Sequence, residues 1–262
     1  MGGHSFLRKS WAEAVELGGV GHTSAALTLL GEVIRSGTRS GDDVVVSLAQ
    51  STTASLLRQA GRHRKASVRD GRALMLAGIA EPDDSPWRRA ATLDALVGLA
   101  ADDLGELRFA ASARLLDRAR VVLASPSDPD WLGGRRPRLR VEWVCTELAV
   151  YTGRPEAARR HAAAASRIGD EPGVPERHRV KTVLISAGAA LAGGENERAA
   201  RLAIEATERA RAVGLLPLEW ASWALRAGLP GPARRTQIAA HGLAEARAEL
   251  LRRGMPLDQR PL

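Results

Sequence analysis

Apolar residues recur along this chain at intervals of three and four, the spacing of one face of a helix. In residues 195–214 the stripe is Ala199, Leu202, Ala203, Ala206, Ala210 and Val213. The opposite face pairs Glu197 with Arg201 and Glu205 with Arg209, acid first, an order that supports a helix. Period-two alternation between hairpin turns is absent. The nearest approach to a strand, residues 43–49 (DVVVSLA), runs on into a helical pattern. The pattern predicts roughly a dozen helices and no sheet.

Proline marks the joints. All thirteen prolines fall where an amphipathic stripe breaks, and Pro86, Pro137, Pro155, Pro175, Pro217 and Pro232 each precede a fresh stripe. Proline suits a first helical turn, where its missing N–H has no intrahelical role. A second punctuation is glycine followed five residues later by alanine: Gly21/Ala26, Gly61/Ala66, Gly105/Ala110, Gly153/Ala158, Gly194/Ala199 and Gly228/Ala233. The glycines lie 40, 44, 48, 41 and 34 residues apart. Glycine supplies a left-handed helix cap, and small residues let paired helices approach closely, so the repeat reads as stacked helical hairpins.

On the segments AGRHRKA, LGELRFA, TGRPEAA and GGENERAA, the chain resembles the tetratricopeptide-repeat family, whose paired helices meet at a Gly-x4-Ala corner. Most of the spacings exceed that family's period of about 34 residues. The aromatic four residues after the alanine is replaced by Leu30, Asp70, Arg114, Ala162, Ala203 and Gln237. The likeness is to the divergent repeats of large bacterial transcriptional regulators. It implies an all-α, right-handed solenoid of about six hairpins, forming one domain over residues 1–254, with a mobile C-terminal tail at 255–262. It also implies a concave groove lined by the first helix of each pair. By register the groove presents Arg8, Trp11, Ser51, Ser55, Arg58, Arg140, Trp143, Glu147 and Lys181, candidates for holding a peptide or protein segment. The family's clamp for C-terminal carboxylates uses asparagines, and the chain has one, Asn196, at a corner.

Composition adds restraint. Aromatics are 3% of residues, which leaves alanine and leucine, both good helix formers, to build the core. A single cysteine, Cys145, excludes an internal disulfide framework and fits a reducing cytoplasm, the expected location. The N-terminus carries no signal-peptide pattern. The most apolar run, 183–194, is about a dozen residues where a membrane span takes about 20, so no membrane association is expected.

The net charge of +8 is nearly all arginine. It is spread over the chain and gathers twice, in Arg62–Lys65 with Arg69 and Arg72, and in Arg135, Arg136, Arg138 and Arg140. Nucleic-acid binding needs such charges on one track. In a hairpin stack these two clusters fall on opposite edges, so a nucleic-acid-associated regulator is the alternative reading and solvated charge the simpler one. The positive field suits an acidic protein partner.

No catalytic constellation emerges, and the protein is expected not to be an enzyme and to need no cofactor. LGGVGHTS (17–24) lacks the Lys-Ser/Thr ending of a phosphate loop and reads as a turn between helices. Cys145 sits in an apolar helix and reads as core. The six histidines lack metal-ligand spacing and read as solvent-facing, with no metal site. Self-association through an uncapped end of the stack is a further expectation.

Overall fold

The computed structural model describes residues 2–79, 85–124 and 130–257. Among these residues the secondary structure is helical throughout, with no strand. The first six helices are α1 (Gly2–Gly19), α2 (Thr23–Ser40), α3 (Asp43–Gln59), α4 (His63–Ile79), α5 (Pro86–Gly105) and α6 (Phe109–Ala124). After a π-helical turn at Trp131–Arg135 come α7 (Arg136–Tyr151), α8 (Pro155–Gly169) and α9 (Glu176–Ala192). The last three are α10 (Asn196–Ala212), α11 (Leu216–Ala227) and α12 (Ala233–Arg252).

The proline marks start helices as their chemistry dictates. Pro86 opens α5 behind Ser85, whose hydroxyl accepts from Arg88 N–H. Pro155 opens α8, Pro217 lies in the first turn of α11, and Pro175 and Pro232 cap α9 and α12. Asp42 caps α3 by accepting from Val45 N–H, and Asp130 caps the π-helical turn at Leu132 and Gly133.

Four of the six expected glycine corners have the left-handed backbone they need: Gly21 (φ 88°), Gly61 (77°), Gly153 (65°) and Gly194 (77°). Their partners Ala26, Ala66, Ala158 and Ala199 are fully buried. The third corner is displaced. Helix α5 runs through Gly105, and Leu107 takes the left-handed conformation at φ 60°. Five residues on from Leu107 is Ser112, buried like the corner alanines, so the register is kept with two residues slipped. The sixth is not a corner of this type. Gly228 has φ −85° and Ala233, its supposed partner, is exposed at the start of α12.

The described residues fall into two compact units. Unit 1 takes those of Met1–Gly18, His22–Val141 and Gly254–Leu262; unit 2 takes Gly19–Gly21 and Glu142–Arg253. Within unit 1, sequential helices α2 to α6 pack on one another, and α3 also packs directly on α5. Within unit 2, α8 to α12 pack in the same sequential way, and α9 also meets α11. These skip contacts are what pairing of first helices in stacked hairpins produces. The core of unit 1 draws Leu30, Val33, Val45, Leu48 and Leu56 together with Trp11 and Ala90. Unit 2 is built on smaller side chains: Ala199, Ala203, Ala206 and Ala210 of α10 are all fully buried.

Of the residues expected to form a mobile tail, Met255 and Leu257 are 2% and 8% exposed and belong to unit 1. Residues 258–262 lie outside the described residues.

Candidate functional site

Six expected groove residues lie in unit 1. Helix α1 places Trp11 in the core, where its indole N–H donates to Thr52 Oγ1 at 2.9 Å. Trp11 also meets Trp87 of α5 edge to face, ring centroids 5.8 Å apart. One turn earlier, Arg8 lays its guanidinium over Trp87, 4.5 Å from the ring centroid. That distance is within cation–π range. Arg8 and Trp87 are both half-buried, and Arg8 Nε is enclosed without a hydrogen-bond partner among the described residues. Ser55 is half-buried, whereas Ser51 is buried.

Arg58 and Arg140 do not stand free. Arg58 bonds Asp70 of α4 through Nη2 and Asp102 of α5 through Nε (2.8 Å). Arg140 bonds Asp94 of α5, which Arg136 also holds at 2.8 Å. Asp70 and Asp102 are fully shielded from solvent, and Asp94 nearly so. Three arginines and three aspartates thus form a buried polar spine through α3, α4, α5 and the start of α7. Gly98 makes room for it, because a Cβ there would run into the Asp70 carboxylate.

The spine has consequences for protonation. Burial pushes Asp70 up from 3.8 to about 7; Arg58 opposes the shift and the Asp102 carboxylate adds to it. Burial alone would lower Arg58, but the facing Asp70 and Asp102 outweigh it and its pKa is raised. Arg140 is lowered, by burial first, with Asp94 offsetting part and Arg136 and Arg58 adding to the fall.

Between about pH 4 and about pH 7 the folded chain keeps a proton on Asp70 that the unfolded chain releases. Stability from this group is therefore full below about pH 4, falls as pH rises to about 7, and is level above it. Urea midpoints are expected to be lower at pH 8 than at pH 5 in the wild type. Asp70→Asn should remove most of that difference; an undiminished difference in the variant would assign it to another group.

The other three expected residues lie in unit 2. Trp143 donates its indole N–H to Thr182 Oγ1 at 3.0 Å and stacks on His178, centroids 5.8 Å apart. Glu147 and Lys181 pair with each other at 3.4 Å, both about one-third exposed.

The two basic clusters are largely absorbed by internal acceptors. In the first, Arg62 donates to the carbonyl of Pro256, His63 Nδ1 is 3.6 Å from Asp102, and Arg69 donates to Gln50. Arg64 is 3.7 Å from Glu106 yet well exposed, and Lys65 and Arg72 are exposed. In the second, Arg136 and Arg140 belong to the spine, Arg135 lies over Trp131 at 5.9 Å, and Arg138 reaches the Leu123 carbonyl.

Cys145 is buried, a core position. The expectation of solvent-facing histidines fails at His178, which is buried against Trp143, and is only half met at His161, half-buried on Glu142 at 2.7 Å. Their helices are covered on more than one side. Among the described residues, no three His, Cys, Asp or Glu side chains are placed to hold a metal ion. No described helix is long and apolar enough to cross a membrane.

Compared with protein-family models and with curated protein sequences, the chain matches none.

Three residues that matter here were not picked out from sequence: Trp87, Asp94 and Asp102. All sit on α5, whose residues 90–104 are buried on nearly every face. The acids' setting in LDALVGLAADDLG was the available signal. An aspartate inside a helix too apolar for one-sided burial needs a buried partner.

Proposed function

We propose that the protein is a non-catalytic, tetratricopeptide-like binding module of a bacterial regulatory system. Its hairpins stack in a right-handed sense, and the first helices of unit 1 take an acidic peptide or protein segment. The observation that carries this reading is the Arg8–Trp87 pair. Arginine and tryptophan are the commonest anchors of protein interfaces, and a guanidinium fixed on an aromatic face is pre-oriented for a carboxylate. Arg58 and Arg140, of the same register, have their charges matched within the chain. Trp11, pinned by Thr52, supports Trp87 from behind.

A protein partner fits better than nucleic acid. A phosphate track needs several cations free along one line; of the two basic clusters Arg64, Lys65, Arg69, Arg72 and Arg138 are exposed, and of these Arg69 donates to Gln50 and Arg138 to the Leu123 carbonyl. The test is affinity purification from the native cell with wild-type and Arg8→Glu chains, helical content checked by circular dichroism. Charge reversal at the anchor is expected to lower co-eluting partners at least about tenfold. Recovery of the same partners in the same amounts would end the reading.

A further inference from the structure

The C-terminal segment after α12 returns to unit 1 and sits there as a docked peptide. Gly254 turns the chain with φ 80°, and a Cβ at this position would lie 2.6 Å from Ser24 Cβ. Met255 and Leu257 are buried at 2% and 8% exposure, with Pro256 half-buried between them. The Leu257 amide donates to the Met255 carbonyl at 2.8 Å, closing a tight turn about the proline. The Pro256 carbonyl accepts from Arg62 Nε, a bond between residues 194 positions apart in sequence.

Such a segment is held the way short linear peptides are held: two buried apolar side chains and one charge-assisted bond to a main-chain carbonyl. It joins no helix and no sheet. The main-chain bond reads no side chain, so the burial of the two apolar side chains sets the sequence preference.

We propose that unit 1 carries a peptide-docking site for an apolar–proline–apolar segment, which Met255–Pro256–Leu257 fills in cis and a partner protein's segment of the same chemistry fills in trans. The cis segment raises the threshold for the partner, because the partner must displace it. This site is separate from the Arg8–Trp87 face and does not depend on it.

Gly254 gives the test a lever that leaves the receiving surface alone. Gly254→Ala meets both the left-handed strain of an L-residue and the Ser24 overlap, and so loosens the cis segment. A fluorescein-labelled peptide of sequence RGMPLD is titrated into full-length chains and followed by anisotropy. Saturable binding is expected to Gly254→Ala and to a second variant, Met255→Ser with Leu257→Ser, and at least about tenfold weaker binding to the wild type. Adding Arg62→Ala to either variant should weaken binding about tenfold, the worth of one hydrogen bond from a charged donor. Arg8→Glu should leave it unchanged. The proposal is overturned if neither opened variant, with helicity intact, binds the peptide, or if the wild type binds it as tightly as they do.

Discussion

Arg58→Ala should cost the protein roughly 3–5 kcal/mol of stability, the range for removing one partner from a buried ion pair. Arg58 bridges two carboxylates, Asp70 and Asp102, that have no solvent exposure of their own. Deleting it strands two acids in the packing of α3, α4 and α5. Burial already raises Asp70, and losing the guanidinium would raise it further, so the variant should carry Asp70 protonated over a wider pH range. Equilibrium urea denaturation checks the loss directly. Adding Asp70→Asn and Asp102→Asn to Arg58→Met should recover much of it, because neutral groups of similar volume avoid the desolvation cost. A loss below about 1 kcal/mol in the single variant would mean the pair behaves like an exposed one.

Gly98→Ala is expected to cost roughly 3 kcal/mol, although alanine is the better helix former. The methyl group would occupy the place of the Asp70 carboxylate, which cannot retreat without giving up Arg58. The two sites should therefore be coupled. In a double-mutant cycle with Asp70→Ala, which removes the clashing carboxylate, the glycine replacement should cost markedly less than in the wild type. Additive losses would show that the clash is relieved elsewhere.

Much of the helical architecture was legible because it rests on local chemistry. Proline can start a helix and cannot continue one, so Pro86, Pro155 and Pro217 gave their helix starts away. Gly21, Gly61, Gly153 and Gly194 were legible because a left-handed corner favours the residue without a Cβ. The corner after α5 was misplaced for the complementary reason: Leu107 takes that conformation itself, at φ 60°, and leaves Gly105 inside the helix. Gly228 looked like its fellows, but the backbone there never turns left-handed.

The spine was not legible, because pairing partners such as Arg58 and Asp102 lie 44 residues apart and no local pattern joins them. Register put Arg58 and Arg140 on the first helices, and both are there; what register cannot show is an acid on a neighbouring helix that takes up the charge. The AGRHRKA run shows the same limit. Its frame marks a corner correctly, while the role of Arg62 depends on a carbonyl at Pro256, near the other end of the sequence.

The central claim is that unit 1 works as a binding face through Arg8 and Trp87 and that the edge arginines are incidental. The most direct measurement compares Arg8→Glu with Arg72→Glu, an equal charge reversal at an exposed position of α4, in quantitative co-purification from the native cell. The account predicts that Arg8→Glu loses the partners and Arg72→Glu keeps them. Partners kept by the first variant and lost by the second would contradict it and move function to the basic edge.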